Sequence, residues 1–204
     1  MVTAGFIAEG DSEAILLKDE SFISLLQTFN INSGKDLVIN AGGKYNLYNP
    51  AGNFSTIQRR VTAWIEILKS KSASVIFFLL DFDNEDTCFT DARQKTFSFT
   101  DNIVIIAKQT LEAWYLADEK ALSSFLKTNI QQIEKPEEIV NPFGKIKDLR
   151  VQYEGRGISD KKILTRDMIK SGFNLQRAAQ HPACPSAAYF IKKLSLQNNH
   201  TPHD

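Results

Sequence analysis

Four short apolar runs, each followed by a polar turn and a stretch with helical spacing, set the rhythm of the first 128 residues of this chain. The first, residues 3–8, stops at Glu9-Gly10, and Asp11 or Ser12 is placed to cap a helix expected over 13–29. Residues 35–40 form the second run and close on Ala41-Gly42-Gly43-Lys44. After a loop rich in Asn, Pro and Gly, the spacing of Ile57, Val61, Trp64, Ile65 and Leu68 predicts an amphipathic helix. Residues 75–80 are continuously apolar, the pattern of a strand covered on both faces, and 103–107 repeat it more briefly. Helix formers then run from Gln109 to Leu122. Strands alternating with helices predict an α/β fold, with right-handed connections and a central, mainly parallel four-stranded sheet.

From residue 129 the rhythm changes. Pro136 and Pro142 punctuate a polar stretch, and helices are expected over 161–171, 175–179 and 186–194. The expected organisation is an α/β domain over 1–128, a basic helical C-terminal subdomain over 129–196, and a flexible tail over 197–204 that carries His200 and His203. An apolar content of 43% with 10% aromatics fits a folded protein rather than a disordered one. The longest apolar run is far below spanning length and no basic leader precedes residues 3–8, so the expectation is a cytoplasmic protein with no membrane association. Cys88 and Cys184 lie far apart in no paired spacing, which gives neither a disulfide framework nor a zinc knuckle.

Charge changes the picture more than composition does. The chain is neutral overall, yet residues 1–140 hold 13 Lys/Arg against 19 Asp/Glu, whereas residues 141–193 hold 11 against 4. A protein that acts on a polyanion needs carboxylates for a metal ion and cations for the flanking phosphates. Two solvated faces that serve solubility would read the same way.

Acidic groups follow three of the expected strands: Glu9 with Glu13, Asp81 with Asp83, and Glu112. In a parallel sheet all these junctions lie at the carboxyl edge, where open α/β proteins bind ligands. Asp81 and Asp83 sit one residue apart on an extended chain, so both side chains point to one side, and two like charges so close call for a cation between them. A hard divalent cation such as Mg²⁺ or Mn²⁺ suits oxygen ligands of this kind. The structural alternatives are a first-turn role for Glu13 and for Glu112, favoured by the helix dipole alone, and a capping role for one of the two aspartates. Lys44, after two glycines, and Lys108, at the end of the fourth run, are candidate phosphate contacts, and a plain turn is the alternative for the Gly-Gly-Lys. Arg156, Lys161 and Lys162 in the basic segment are further candidates for gripping phosphate. The three histidines all lie in the last quarter, which serves Ser/His/Asp or Cys/His catalysis poorly.

Ala8-Glu-Gly-Asp-Ser-Glu, Leu80-Asp-Phe-Asp, Leu111-Glu-Ala-Trp-Tyr-Leu-Ala-Asp and the later Cys184-Pro-Ser together resemble a TOPRIM-like family of uncharacterised bacterial proteins, over nearly the whole chain. TOPRIM domains are the metal-binding catalytic modules of topoisomerases, bacterial primases and nucleases of the overcoming-lysogenisation-defect type. The resemblance implies a Rossmann-like, three-layer core and a metal-dependent nuclease acting on DNA or RNA. It gives Glu9, Asp81 and Asp83 the roles of metal ligands and catalytic acids, with Glu13 as a second acid of the nuclease branch. Glu112 belongs to the smaller family's signature, as a further ligand or a base, and Lys44 resembles a Gly-Gly-Lys of the nuclease branch. An ATPase partner and a role in phage defence are implied by analogy. The rival reading is a non-catalytic, metal-binding interaction module that docks on such an ATPase.

Overall fold

The computed structural model describes residues 1–47, 54–82 and 102–199. Asp83 and Cys88, both singled out in the sequence, lie outside them. The chain divides into two compact units: residues 1–80, 85–106 and 193–204 in one, residues 81–84 and 107–192 in the other. The sequence places a boundary near residue 129, whereas this division keeps the helices from Glu112 onward together with residues up to 192.

The first unit is built on a mainly parallel sheet. Its strands are β1 (Val2–Ala8), β2 (Ile31–Asn32), β3 (Val38–Asn40), β4 (Val75–Phe82) and β5 (Ile103–Lys108). The order is β2-β1-β4-β5, and β3 also pairs with β1. Register explains the fifth strand: β2 lies beside Val2 and Thr3, and β3 lies beside Phe6 to Ala8, so the two occupy one edge in succession. The expected run over 35–40 therefore begins as a 3-10 turn at Lys35–Leu37 and becomes strand only from Val38.

Helices cover both faces of this sheet. α1 (Asp11–Leu17) and α2 (Glu20–Thr28) replace the single helix expected over 13–29, because Asp19 turns out of the helix and its carboxylate accepts the N–H of Ser21 to start α2. A four-residue α3 (Lys44–Leu47) precedes α4 (Phe54–Ser70). Successive residues of a strand face opposite sides. A Cβ on Gly5 would sit 3.0–3.2 Å from Leu68 and Ala73, so glycine there lets α4 approach one face of β1. Phe6 points to the other face, where its ring stands edge-on to Phe22 of α2 at 5.5 Å and stacks on its register partner Phe77 at 5.3 Å. Sheet, α2 side and α4 side make three layers around Phe6, Ile7, Phe77 and Phe78, all fully buried.

The second unit is helical: α5 (Glu112–Ala117), α6 (Glu119–Leu126), α7 (Pro142–Glu154), α8 (Lys161–Lys170), α9 (Leu175–Gln180) and α10 (Pro185–Ser195), with a 3-10 turn at Pro136–Glu138. α5 is its hub, packing against α6, α7, α9 and that turn. Trp114 and Tyr115 on α5 are fully buried, and each has its polar atom satisfied. Trp114 Nε1 donates to Ser186 Oγ at 2.7 Å and the Tyr115 hydroxyl pairs with Thr165 Oγ1 at 3.1 Å, while the Tyr115 ring meets Phe173 edge-on at 4.8 Å. Glu137 accepts both the N–H and the hydroxyl of Ser186, which ties the start of α10 to the turn and to α5 and accounts for the Cys184-Pro-Ser sequence as packing. Burial, with the Glu137 carboxylate beside it, pushes the Cys184 thiol far above its ordinary value. No helix among the described residues is long and apolar enough to cross a membrane.

Candidate functional site

In the first unit the acidic side chains are built into the turn after β1. The N–H of Glu9 donates to the carbonyl of Leu79 at 3.0 Å, continuing the β1–β4 ladder one residue past β1. The carbonyl of Glu9 in turn accepts the N–H of Gly43 at 2.7 Å. Gly42 and Gly43 adopt φ of +76° and +120°, which only glycine takes without strain, so the Gly-Gly pair folds the loop back over the end of β1. Asn40 stitches this loop to α1, donating to Asp11 at 2.7 Å and accepting the N–H of Gly42 at 2.8 Å. Lys44 opens α3 directly after the glycines. Glu13 is buried and its Oε2 accepts the N–H of Gly10 at 3.0 Å, the return half of a capping box.

The second unit holds the other acids. Asp81 stands near the end of β4, and its Oδ1 accepts the N–H of Leu111 at 2.8 Å, one residue before α5 begins. The turn from β5 into α5 is tight: Gln109 is buried with φ of 65°, a conformation that side-chain-bearing residues rarely take outside functional or constrained turns. Glu112, the first residue of α5, is completely buried, and neither of its carboxylate oxygens has a hydrogen-bond partner. The hydroxyl of Thr110, two residues earlier in the chain, is likewise buried and unpartnered. Lys161, at the start of α8, brings its ammonium 3.3 Å from Glu112 Oε2 and 3.9 Å from Asp81 Oδ2. A residue expected to grip phosphate in the basic segment thus lies against Asp81, an expected metal ligand, and Glu112, expected as a further ligand or a base.

The remaining candidates are placed singly. Arg156 pairs with Glu154 at 2.8 Å, which holds that carboxyl below the usual carboxylate range. Lys108 ends β5 with its side chain exposed and its backbone N–H 3.3 Å from Ser186 Oγ, and Lys162 is the exposed second residue of α8. The spacing of residues 81, 112 and 161 carries no signal for their meeting, because an ion pair across three elements depends on tertiary packing.

Asp118, which the sequence did not single out, is a second buried carboxylate at the far end of α5. It accepts the N–H groups of Ala121 and Asn174 and two N–H groups of Arg177, at 2.8–3.2 Å. The readable signal was an aspartate inside the 109–122 run of helix formers, a residue that suits a cap better than a helix interior.

Mg²⁺ needs only one or two protein carboxylates, with water or phosphate oxygens completing its shell. Asp81 and Glu112, a pair of hard oxygen donors with two orphaned atoms between them, fit that requirement. Among the described residues no group of three or more His, Cys, Asp or Glu side chains is arranged to hold an ion. Fold and site together define an α/β protein with a mainly parallel sheet, whose fourth and fifth strands run into a helical unit carrying a buried acidic pair. Comparison with protein-family models, curated proteins and solved structures gives no match.

Proposed function

We propose that this chain is a Mg²⁺- or Mn²⁺-dependent phosphodiesterase acting on nucleic acid, of TOPRIM type. The observation that supports the reading is Glu112, a fully buried carboxylate whose two oxygens find no hydrogen bond. Native structures leave few such groups, and each calls for an ion, a water or a catalytic role. Among the described residues Lys161 stands 3.3 Å from Glu112 and 3.9 Å from Asp81, and a divalent ion would compete with its ammonium for the same oxygens.

A divalent ion held at Asp81 and Glu112 would lower the pKa of a bound water and neutralise charge developing on phosphate. The chain's own residues orient and screen. The Leu111 N–H fixes one oxygen of Asp81, and the burial of Glu112 keeps bulk water from its carboxylate. Lys161, 45% exposed, is placed to exchange its acidic partners for a phosphate oxygen. Asp83 joins this set by its place in the sequence, and Glu9 and Glu13 by the resemblance alone. Lys44, Lys108 and Lys162 remain candidates for the flanking phosphates. A cytoplasmic setting, an ATPase partner and a defence role belong to the same reading.

One observation favours the second reading, a non-catalytic module docking on an ATPase. Lys161 already pairs with both acids, and such a triad can stand as a structural ion cluster. Nicking of plasmid DNA and cleavage of RNA with Mg²⁺ or Mn²⁺ separate the two, with wild type set against Asp81→Asn and Glu112→Gln. Metal-dependent cleavage lost in both variants supports the enzyme. Equal cleavage in all three proteins, or none even with an ATPase partner added, favours the module.

A further inference from the structure

The helical unit contains a cleft of about 940 Å³ whose lining includes none of Asp81, Glu112 and Lys161. It lies among α6, the residues that follow α6 as far as Gln132, and α9. Its volume falls in the range of sites that hold a small organic ligand, but the lining is mostly polar and includes no Phe, Tyr or Trp.

Lys120, Lys127, Arg177 and His181 bring cationic and N–H donors to the lining, against two carboxylates, Asp118 and the exposed Glu119 at the start of α6. Asp118 is part of it, yet its oxygens already accept four N–H groups, so its charge is neutralised in place. Arg177 spends Nε and Nη2 on Asp118 and on the carbonyl of Gly172, which leaves Nη1 without a partner among the described residues. Lys120 is exposed and makes no ion pair among them, and Lys127 reaches Glu154 only at 3.8 Å.

His181 adds an independent observation. It lines the cleft and is 5% exposed. Its Nδ1 accepts the N–H of Ala183 at 3.1 Å, so in the neutral ring the proton sits on Nε2. That Nε2–H is buried and finds no acceptor. A buried donor with nothing to donate to lacks the partner that such groups normally have, and a turn of the ring toward the cleft would bring it to an acceptor held there.

We propose that this cleft binds a phosphate ester. A phosphate group offers several acceptor oxygens and no competing donor, which suits Lys120, Lys127, the Nη1 of Arg177 and the Nε2–H of His181. The space beyond one phosphate takes a sugar-sized remainder, for which Ser123, Gln132 and Gln180 supply hydroxyl and amide groups. With no Phe, Tyr or Trp in the lining and the His181 ring only 5% exposed, there is no open aromatic face to stack a base, so recognition rests on phosphate and sugar. The ester is either a free nucleotide or sugar phosphate, or the phosphorylated end of a nucleic-acid strand. The proposal stands apart from the metal reading, since it uses none of the same side chains.

The test is binding to the full chain in EDTA, so that no divalent ion contributes, with ribose 5-phosphate, AMP, CMP, adenosine and a 5′-phosphorylated oligonucleotide as probes. AMP, CMP and ribose 5-phosphate should bind within about threefold of one another, and adenosine at least roughly tenfold more weakly. The His181 ring nitrogen signals should move on phosphate binding while those of His200 and His203 stay. Lys120→Glu, a surface change whose folding is checked by its melting curve, should weaken AMP roughly tenfold or more. Tighter binding of the oligonucleotide than of AMP assigns the cleft to a strand end, and equal binding assigns it to free esters. Adenosine binding as well as AMP, an unchanged affinity in Lys120→Glu, or no binding of any probe at millimolar concentration overturns the proposal.

Discussion

Glu112 and Asp118 stand at the two ends of one six-residue helix, both buried, and their surroundings could hardly differ more. Asp118 accepts four N–H groups and has its charge balanced by Arg177 in a two-point pair. Glu112 accepts none, and a half-exposed lysine shared with Asp81 is its ion-pair partner. Burying a carboxylate is costly unless hydrogen bonds and an opposite charge replace water. The helix therefore carries one carboxylate that holds the fold together and one kept at the fold's expense. On the proposed reading, that difference, more than position in a motif, is what sets a metal-binding acid apart from a structural one.

The comparison can be broken most forcefully at Asp118. Asp118→Ala removes the partner of four N–H groups and strands Arg177, and should cost about 3 kcal/mol in a denaturant melt, less than for a wholly buried pair because Arg177 is partly exposed. A melt within error of wild type would mean that Asp118 is not structural. Glu112→Gln should do the opposite. Stability stays within about 1 kcal/mol of wild type, because a buried charge without hydrogen bonds is being removed, while metal-dependent cleavage falls roughly a hundredfold. A loss of stability as large as that of Asp118→Ala would make Glu112 a second structural acid.

Lys161→Met sharpens the contrast from the cation's side. It should lower stability by about 1 kcal/mol in EDTA, a modest figure because the lysine is half exposed, and millimolar Mn²⁺ should recover the loss. Failure of the ion to restore stability would place Lys161, not a metal, as the cluster's proper cation.

The smallest effect concerns pH. Arg156 keeps the Glu154 carboxyl below its unfolded value, so the pair's stabilisation is fully present above the unfolded carboxylate pKa and fades as pH falls through the lower folded value. Melting curves of wild type and Arg156→Ala should differ slightly at neutral pH and converge in acid; a gap that widens in acid would contradict the assignment.

Much of the fold was legible in the chain. The apolar runs of β1, β4 and β5 are long enough to declare themselves, and Gly5 in the first of them marks where α4 packs. The break between α1 and α2 leaves no trace in the apolar spacing, which continues across Lys18-Asp19, while the turn depends on one capping carboxylate. α7 does not stand out in the sequence because Pro142 reads as punctuation, although proline suits the first helical turn, and here Asn141 caps the helix. At the site, the sequence pointed to Asp81 and Glu112 as carriers of chemistry but offered no sign that Lys161 would meet them. Nor did it set Asp118 and Glu112 apart, since both are acids of one motif and only their hydrogen-bond partners distinguish them.

The central claim is that the orphaned carboxylate of Glu112 is reserved, with Asp81, for a divalent cation. Calorimetric titration of Mn²⁺ into wild type, Glu112→Gln and Asp118→Asn tests it most directly. The account predicts binding to wild type, a loss of roughly tenfold or more in Glu112→Gln, and near-wild-type affinity in Asp118→Asn, provided that protein folds. Equal Mn²⁺ binding by wild type and Glu112→Gln would contradict it.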